Sequence, residues 1–363
     1  MFPYLFTLAV VVCLGYLATR KGVLPHESKV YLSVAFAAMV LLGGLRDQRI
    51  GTDSPLYVRL WDVIHTMTDV VRVSLVGGDE YGIWVLSWLL KKFSDQYMIL
   101  FFAVALIVVG CYFKSIVTHT TNLTISLFIF ITTGFYTFFF NGERQGLSCA
   151  ICSLALKPAM ERNFKKYLAI VLLALCFHKT AIIMLPVYLV LGKTNTLKTN
   201  LLYLAVGVVG VVGLQKAVEL SSKVDERYSG YAAGAEGASG GGGYLISAFN
   251  CGLTLFFFLM KDRITVDRRR YEFFLNMLSL GAVISMVSAV TGTDPSGLLR
   301  FTLYFNLGAV FLWPILYENV DSSWSKVVAS YLVMVCYIVF FTMTTQRFSD
   351  LAPYRFNPLL TLF

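Results

Sequence analysis

The sequence predicts an all-α polytopic membrane protein with about twelve membrane-inserted helices, and three observations carry that reading. Hydrophobic residues make up 57% of the 363 and charged residues only 14%, whereas soluble domains carry about 25% charged residues. Apolar runs long enough to cross hydrocarbon recur along the whole chain. Lysines and arginines gather in the short stretches between those runs. This composition excludes a soluble enzyme, a disordered chain and a nucleic-acid binder. The net charge of +9 therefore belongs to the cytoplasmic flanks of spans, with the lipid bilayer as the first partner. The chain reads as a single transmembrane domain over residues 1–363.

Taken in order, the predicted spans are 2–19, 31–45, 97–117, 123–141, 145–160, 167–192, 200–218, 244–260, 272–293, 301–317 and 326–344. No basic residue precedes the first apolar run, and Arg20 and Lys21 follow it, so it reads as a span and not a cleaved signal. Segment 46–96 lies outside the membrane. Within it, Tyr81 to Lys92 is apolar but far short of the roughly 20 residues a crossing needs, so it reads as a helix lying in the interface. The run 167–192 is interrupted at His178–Lys179 and reads as two short helices meeting near the outer surface. That break keeps three basic clusters in the cytoplasm: Arg20 with Lys21 and Lys29, Lys157 with Arg162 to Lys166, and Lys261 to Arg270. Both termini then lie outside. Residues 219–243, ending in consecutive glycines at 240–243, read as a flexible outer loop. The cysteines all fall inside apolar runs, and the Cys149–Cys152 pair reads as small-residue helix packing, not a metal or redox site.

Ionisable residues at membrane depth are costly and mark functional sites by default. Those not explained as flanks fall at the predicted outer ends of helices. Arg46, Arg49, Asp53 and Tyr57 follow the second span, where Thr52 to Pro55 form a turn that opens a helix. A helix cap with ordinary interfacial arginines explains that stretch as well. Asp79 and Glu80 open the interfacial helix, where a carboxylate also suits the helix dipole. Asn141, Glu143, Arg144 and Gln145 stand between two apolar runs. His178 and Lys179 interrupt a third, and Arg300 with Tyr304 follows the turn at Asp294–Pro295. Planar guanidinium forks suit phosphate oxygens. Arginines, a lysine, carboxylates and one histidine on one membrane side suit a diphosphate and a sugar nucleophile. They suit ion coupling poorly, because such pathways also need polar groups near the midplane.

At these residues the chain resembles the EpsG family of Wzy-like polysaccharide polymerases. The blocks that carry the resemblance are G-L-R followed by G-T-D-S-x-x-Y (Gly44 to Tyr57), N-x-x-R-Q (Asn141 to Gln145), F-H-K-T-A (Phe177 to Ala181) and R-x-x-x-Y (Arg300 to Tyr304). Glu80-Tyr81-Gly82 is similar to the family's pattern too. The resemblance implies a bacterial inner-membrane glycosyltransferase of GT-C-like architecture, with short interfacial helices in the first outer segment. It implies transfer of a growing glycan from one undecaprenyl diphosphate onto a second lipid-linked repeat unit at the periplasmic face, yielding O-antigen or exopolysaccharide. No metal or other cofactor is implied. The implied partners are those lipid-linked oligosaccharides, with a chain-length regulator and a flippase beside them. The alternatives are an O-antigen ligase, which uses the same donor, and a lipid-linked oligosaccharide flippase. Arg46, Arg49, Tyr57, Arg144, Gln145, Lys179, Arg300 and Tyr304 are the expected substrate-binding residues. For the base the candidates run His178, Asp53, Glu80: histidine titrates near neutral pH, while carboxylates among arginines are weaker bases.

Overall fold

The computed structural model describes residues 1–76, 80–222, 242–291, 298–320, 324–347 and 349–358. They are helical throughout, apart from turns and one isolated antiparallel bridge between Arg46 and Phe356. They divide into two compact units, one of Met1–Tyr188 with Val320–Phe363 and one of Leu189–Asn319.

In the first unit, α1 (Phe2–Thr19) and α2 (Pro25–Gly44) pack side by side, and α2 packs on α6 (Met98–His119). Three short helices, α3 (Ser54–Val63), α4 (Met67–Val76) and α5 (Gly82–Lys91), fill the segment between α2 and α6. Next come α7 (Leu123–Thr132), α8 (Phe135–Phe138), α9 (Glu143–Ser153), α10 (Leu156–Met160) and α11 (Phe164–Phe177). A 3-10 turn at Lys179–Ile183 and α12 (Met184–Val187) complete the run, and α9 lies between α6 and α11. The second unit holds α13 (Leu197–Ser222), α14 (Gly242–Met260), α15 (Arg268–Thr291), α16 (Leu303–Asn306) and α17 (Gly308–Asn319). The last helix, α18 (Trp324–Arg347), returns to the first unit and packs on α7.

Seven stretches among the described residues are long and apolar enough to cross a membrane: Phe2–Thr19, Pro25–Gly44, Met98–His119, Tyr244–Arg263, Arg268–Val290, Leu299–Asn319 and Val327–Arg347. This is a multi-pass membrane protein. Against the expectation of about twelve membrane-inserted helices, these seven are the full-length spans among the described residues. The expected spans 123–141 and 145–160 are each broken into short helices, whereas the expected span 200–218 lies within the continuous helix α13. The physical reason is burial inside protein. Every residue of α9 except Arg144 is buried, and α7 is buried over most of its length. Irregular backbone is tolerated at membrane depth where other helices surround it and satisfy its polar groups.

The break expected at His178 is present. Helix α11 stops at Phe177, and His178 is extended, with φ −156° and ψ 128°. The expected interfacial helix is α5, preceded by α3 and α4; all three are 10 residues long. Asp79, most of 219–243, and Asp294–Pro295 lie outside the described residues.

In the second unit a buried amide network joins the start of α13 to α15. Asn195 Nδ2 donates to Asn276 Oδ1 at 2.9 Å and to Ser279 Oγ at 3.2 Å, and Asn276 donates to the Lys193 carbonyl at 2.6 Å. Side-chain hydrogen bonds of this kind join packed helices.

Candidate functional site

Four helix ends of the first unit meet: Gly44 of α2, Met98 of α6, Glu143 of α9 and Phe177 of α11. The turns between them are pressed together by backbone-to-backbone contacts that only small residues allow. Gly51 has φ +93°, a region that L side chains rarely adopt, and a Cβ there would lie 2.0 Å from the Phe140 carbonyl oxygen. The loop after α2 therefore lies flat on the turn before α9. The Thr52 N–H donates to Asn141 Oδ1 at 3.1 Å, and the Ser54 hydroxyl donates to the Phe140 carbonyl at 3.0 Å. At the other side a Cβ on Gly82 would lie 2.6 Å from the Cys176 carbonyl oxygen. This close approach sets the start of α5 against the end of α11.

Glu80, two residues before α5, is thereby brought to His178. Its Oε1 lies 2.5 Å from His178 Nδ1 and accepts from the Lys179 backbone N–H at 3.0 Å, and its Oε2 lies 2.8 Å from Arg144 Nη1. The contact to Arg144 pairs opposite charges, and the contact to His178 does so only when the imidazole is protonated. Burial pushes the Glu80 carboxyl upward. His178, the Lys179 amide and Arg144 outweigh it and hold the group below its usual range. The side chains of His178 and Arg144 are each 23% exposed. His178 Nδ1 is itself buried, so the exposed part of the ring lies elsewhere on it.

Beneath this cluster lies a second pair. Arg46 and Glu143 have fully buried side chains and meet at 2.6 Å, Nη2 to Oε1. Arg46 Nη1 also donates to the Gly43 carbonyl at 2.6 Å, and its guanidinium carbon stands 3.9 Å from the Phe101 ring centroid and 4.9 Å from that of Phe140. Burial disfavours both charges: it pushes the Glu143 carboxyl up and pulls the Arg46 guanidinium down, and each opposes the shift of the other. Breaking such a pair from one side typically costs about 3–5 kcal/mol, because a buried charge is left uncompensated. Tyr57 joins the two layers. Its hydroxyl accepts from the Arg144 backbone N–H at 3.3 Å, its ring stands 5.9 Å from Trp84, and burial pushes its phenol up to about 12.

The family model described as the EpsG family matches residues 29–356. The chain belongs to the EpsG family. No curated protein and no solved structure matches it. Membership of EpsG, the family of Wzy-like exopolysaccharide polymerases, marks the chain as a polysaccharide polymerase-like membrane protein.

In this EpsG protein the first unit brings together most of the residues singled out in the sequence. Glu80, Arg144, His178 and Lys179 form one cluster, with Lys179 exposed. Asp53 is half-buried at the start of α3 and makes no capping hydrogen bond there, and its charge acts on both Glu143 and Arg144. Gln145 is buried on α9. Arg49 is on the surface with its side chain 70% exposed and Asp47 3.9 Å away. Arg46 has no surface to offer a ligand. In the second unit Arg300 is exposed on the 3-10 turn Leu298–Thr302 and Tyr304 is buried on α16. At His178 a carboxylate stands against Nδ1.

The sequence reading missed two features. Glu143 is the partner of Arg46; its place beside Arg144 in the N-x-x-R-Q block was the available signal. The other is the C-terminal stretch 349–358, which closes on the loop after α2 and which no periodicity or motif announces.

Proposed function

We propose that this EpsG protein is a polysaccharide polymerase of the bacterial inner membrane, acting at the periplasmic ends of α2, α9 and α11. The supporting observation is the meeting of Glu80, Arg144 and His178, a carboxylate–imidazole pair with a guanidinium beside it. Glu80 engages Nδ1 of His178, which leaves Nε2 as the lone pair able to accept a proton, with the tautomer set by the carboxylate. The hydroxyl of a lipid-linked repeat unit gives its proton to Nε2. Its oxygen bonds to the anomeric carbon of the donor glycan, and the bond from that carbon to undecaprenyl diphosphate breaks. The departing diphosphate takes the electron pair. Arg144 and Lys179 stabilise its charge, and Asp53 orients the acceptor or holds Arg144. Arg46 supports the site from below instead of binding substrate.

The test incubates purified protein in lipid nanodiscs with a synthetic undecaprenyl diphosphate repeat unit. A glycan ladder is expected, and its loss in His178→Gln. Lipid movement across the bilayer without new glycosidic bonds would replace the polymerase reading by the flippase one. Near-normal turnover in His178→Gln alongside a dead Asp53→Asn would move the base to Asp53.

A further inference from the structure

The stretch 349–358 makes an unusual set of bonds for a chain end. Its backbone pairs with the loop after α2: the Asp47 N–H donates to the Arg355 carbonyl at 2.9 Å, the Asn357 N–H to the Leu45 carbonyl at 2.8 Å, and the Gly51 N–H to the Asp350 carbonyl at 3.3 Å. The Tyr354 hydroxyl donates to the Leu42 carbonyl at 2.6 Å, and the Tyr4 hydroxyl of α1 donates to the Leu351 carbonyl at 2.8 Å. The Tyr4 and Tyr354 rings meet edge to face at 5.5 Å, and Asn357 is wholly buried. Terminal segments are ordinarily poorly ordered unless tied down in this way.

The residue at the centre of this pairing is Arg46, which forms the bridge with Phe356. Arg46 is bound through its side chain to Glu143, the first residue of α9, and the next residue is Arg144. A continuous set of contacts thus runs from the strap through Arg46 and Glu143 to the N-terminus of α9. There the Arg144 amide is held by Tyr57 and its side chain by Glu80.

We infer that the C-terminal strap, residues 350–357, is a positioning element of the site, and that Arg46 and Glu143 are the positioning residues through which it holds Arg144. The consequence for turnover rests on the polymerase reading above; the consequence for the local structure does not. A loop that drifts by an ångström moves the Arg46–Glu143 pair, the end of α9 and the fork of Arg144 together. Misplacement on that scale far from the reacting atoms costs about 100-fold in rate.

The experiment compares full-length protein in nanodiscs with Asn357→Ala and Tyr354→Phe, the second removing only a hydroxyl, and with Gln346→Ala on the exposed end of α18 as control. Hydrogen exchange is followed at 45–53 and at 143–146, and turnover is resolved into kcat and KM. Both strap variants should speed exchange in the two segments together, leave the rest of the fold protected, and lower kcat about 10- to 100-fold with little change in KM. The control should match wild type. Faster exchange at 45–53 with 143–146 unchanged would overturn the inference, since the strap would then hold only its own loop. Full kcat in a variant whose two segments both exchange freely would overturn it as well. If wild-type protein makes no glycan, the polymerase reading falls, and the exchange data alone decide the role of the strap. If Asn357→Ala does not fold, Tyr354→Phe carries the test.

Discussion

Replacing Arg144 by lysine keeps a positive charge beside Glu80 and removes the planar fork that can grip two phosphate oxygens. Loss of one preorganised donor of this kind costs about 2.7–4 kcal/mol of transition-state stabilisation. Arg144→Lys should therefore run roughly 100- to 1000-fold slower at equal expression, measured as glycan formed per enzyme. Wild-type turnover would remove the fork from the mechanism. Glu80 carries a prediction in pH. Its carboxyl is held below its ordinary value of 4.5 in the folded protein, so the folded state binds fewer protons there than the unfolded state. The stabilisation is present above that ordinary value and is lost as pH falls through the folded one. Thermal melts of wild type should thus weaken in acid more steeply than those of Glu80→Gln, and parallel curves would show that Glu80 contributes nothing. At this scale the sequence was informative because ionisable residues in an apolar chain stand out. It could not distinguish Arg46, whose guanidinium is spent on Glu143 and three carbonyl or aromatic neighbours, from Arg144, whose side chain reaches the surface. Residue type alone does not record which arginine is buried.

Elements transmit these positions through contacts between backbones. A Cβ on Gly82 would meet the Cys176 carbonyl, part of a helix end that cannot swing aside as a flexible side chain could. Gly82→Ala should push α5 away from α11, destabilise the fold by about 1–3 kcal/mol and separate Glu80 from His178. Thermal melts in detergent together with turnover check this; an unchanged melt and full activity would show that the two elements have room to part. The long lipid-facing helices were legible because hydropathy and length suffice for them, as in α1, α2 and α6. The interruptions at 132–135 and 153–156 were not. Hydropathy reports that a stretch avoids water, not whether lipid or protein surrounds it, and α7 to α10 are the stretch that protein surrounds. The break at His178 was legible because two polar residues interrupt the apolar run there.

Across the molecule, His178 of the Glu80–Arg144–His178 cluster follows one end of α11, and Lys157 to Lys166 run from α10 through the turn into the opposite end of α11. If the basic stretch faces the cytoplasm, as the bias of such residues toward that side predicts, the site lies outside. Thr68→Cys and Lys165→Cys, made in a cysteine-free chain, should label from opposite sides with an impermeant thiol reagent, Thr68→Cys from outside. Labelling of both from one side would sink this orientation. What no reading of local pattern could supply is the pairing of the chain's end with the loop after α2, since Tyr354 and Leu42 stand 312 positions apart. That separation also sets an order of events during synthesis. At about 5–20 residues per second, the ribosome adds Tyr354 roughly 15–60 s after it adds Leu42. For that interval the inserted chain holds Asp47 N–H and Leu45 C=O without the strap that binds them.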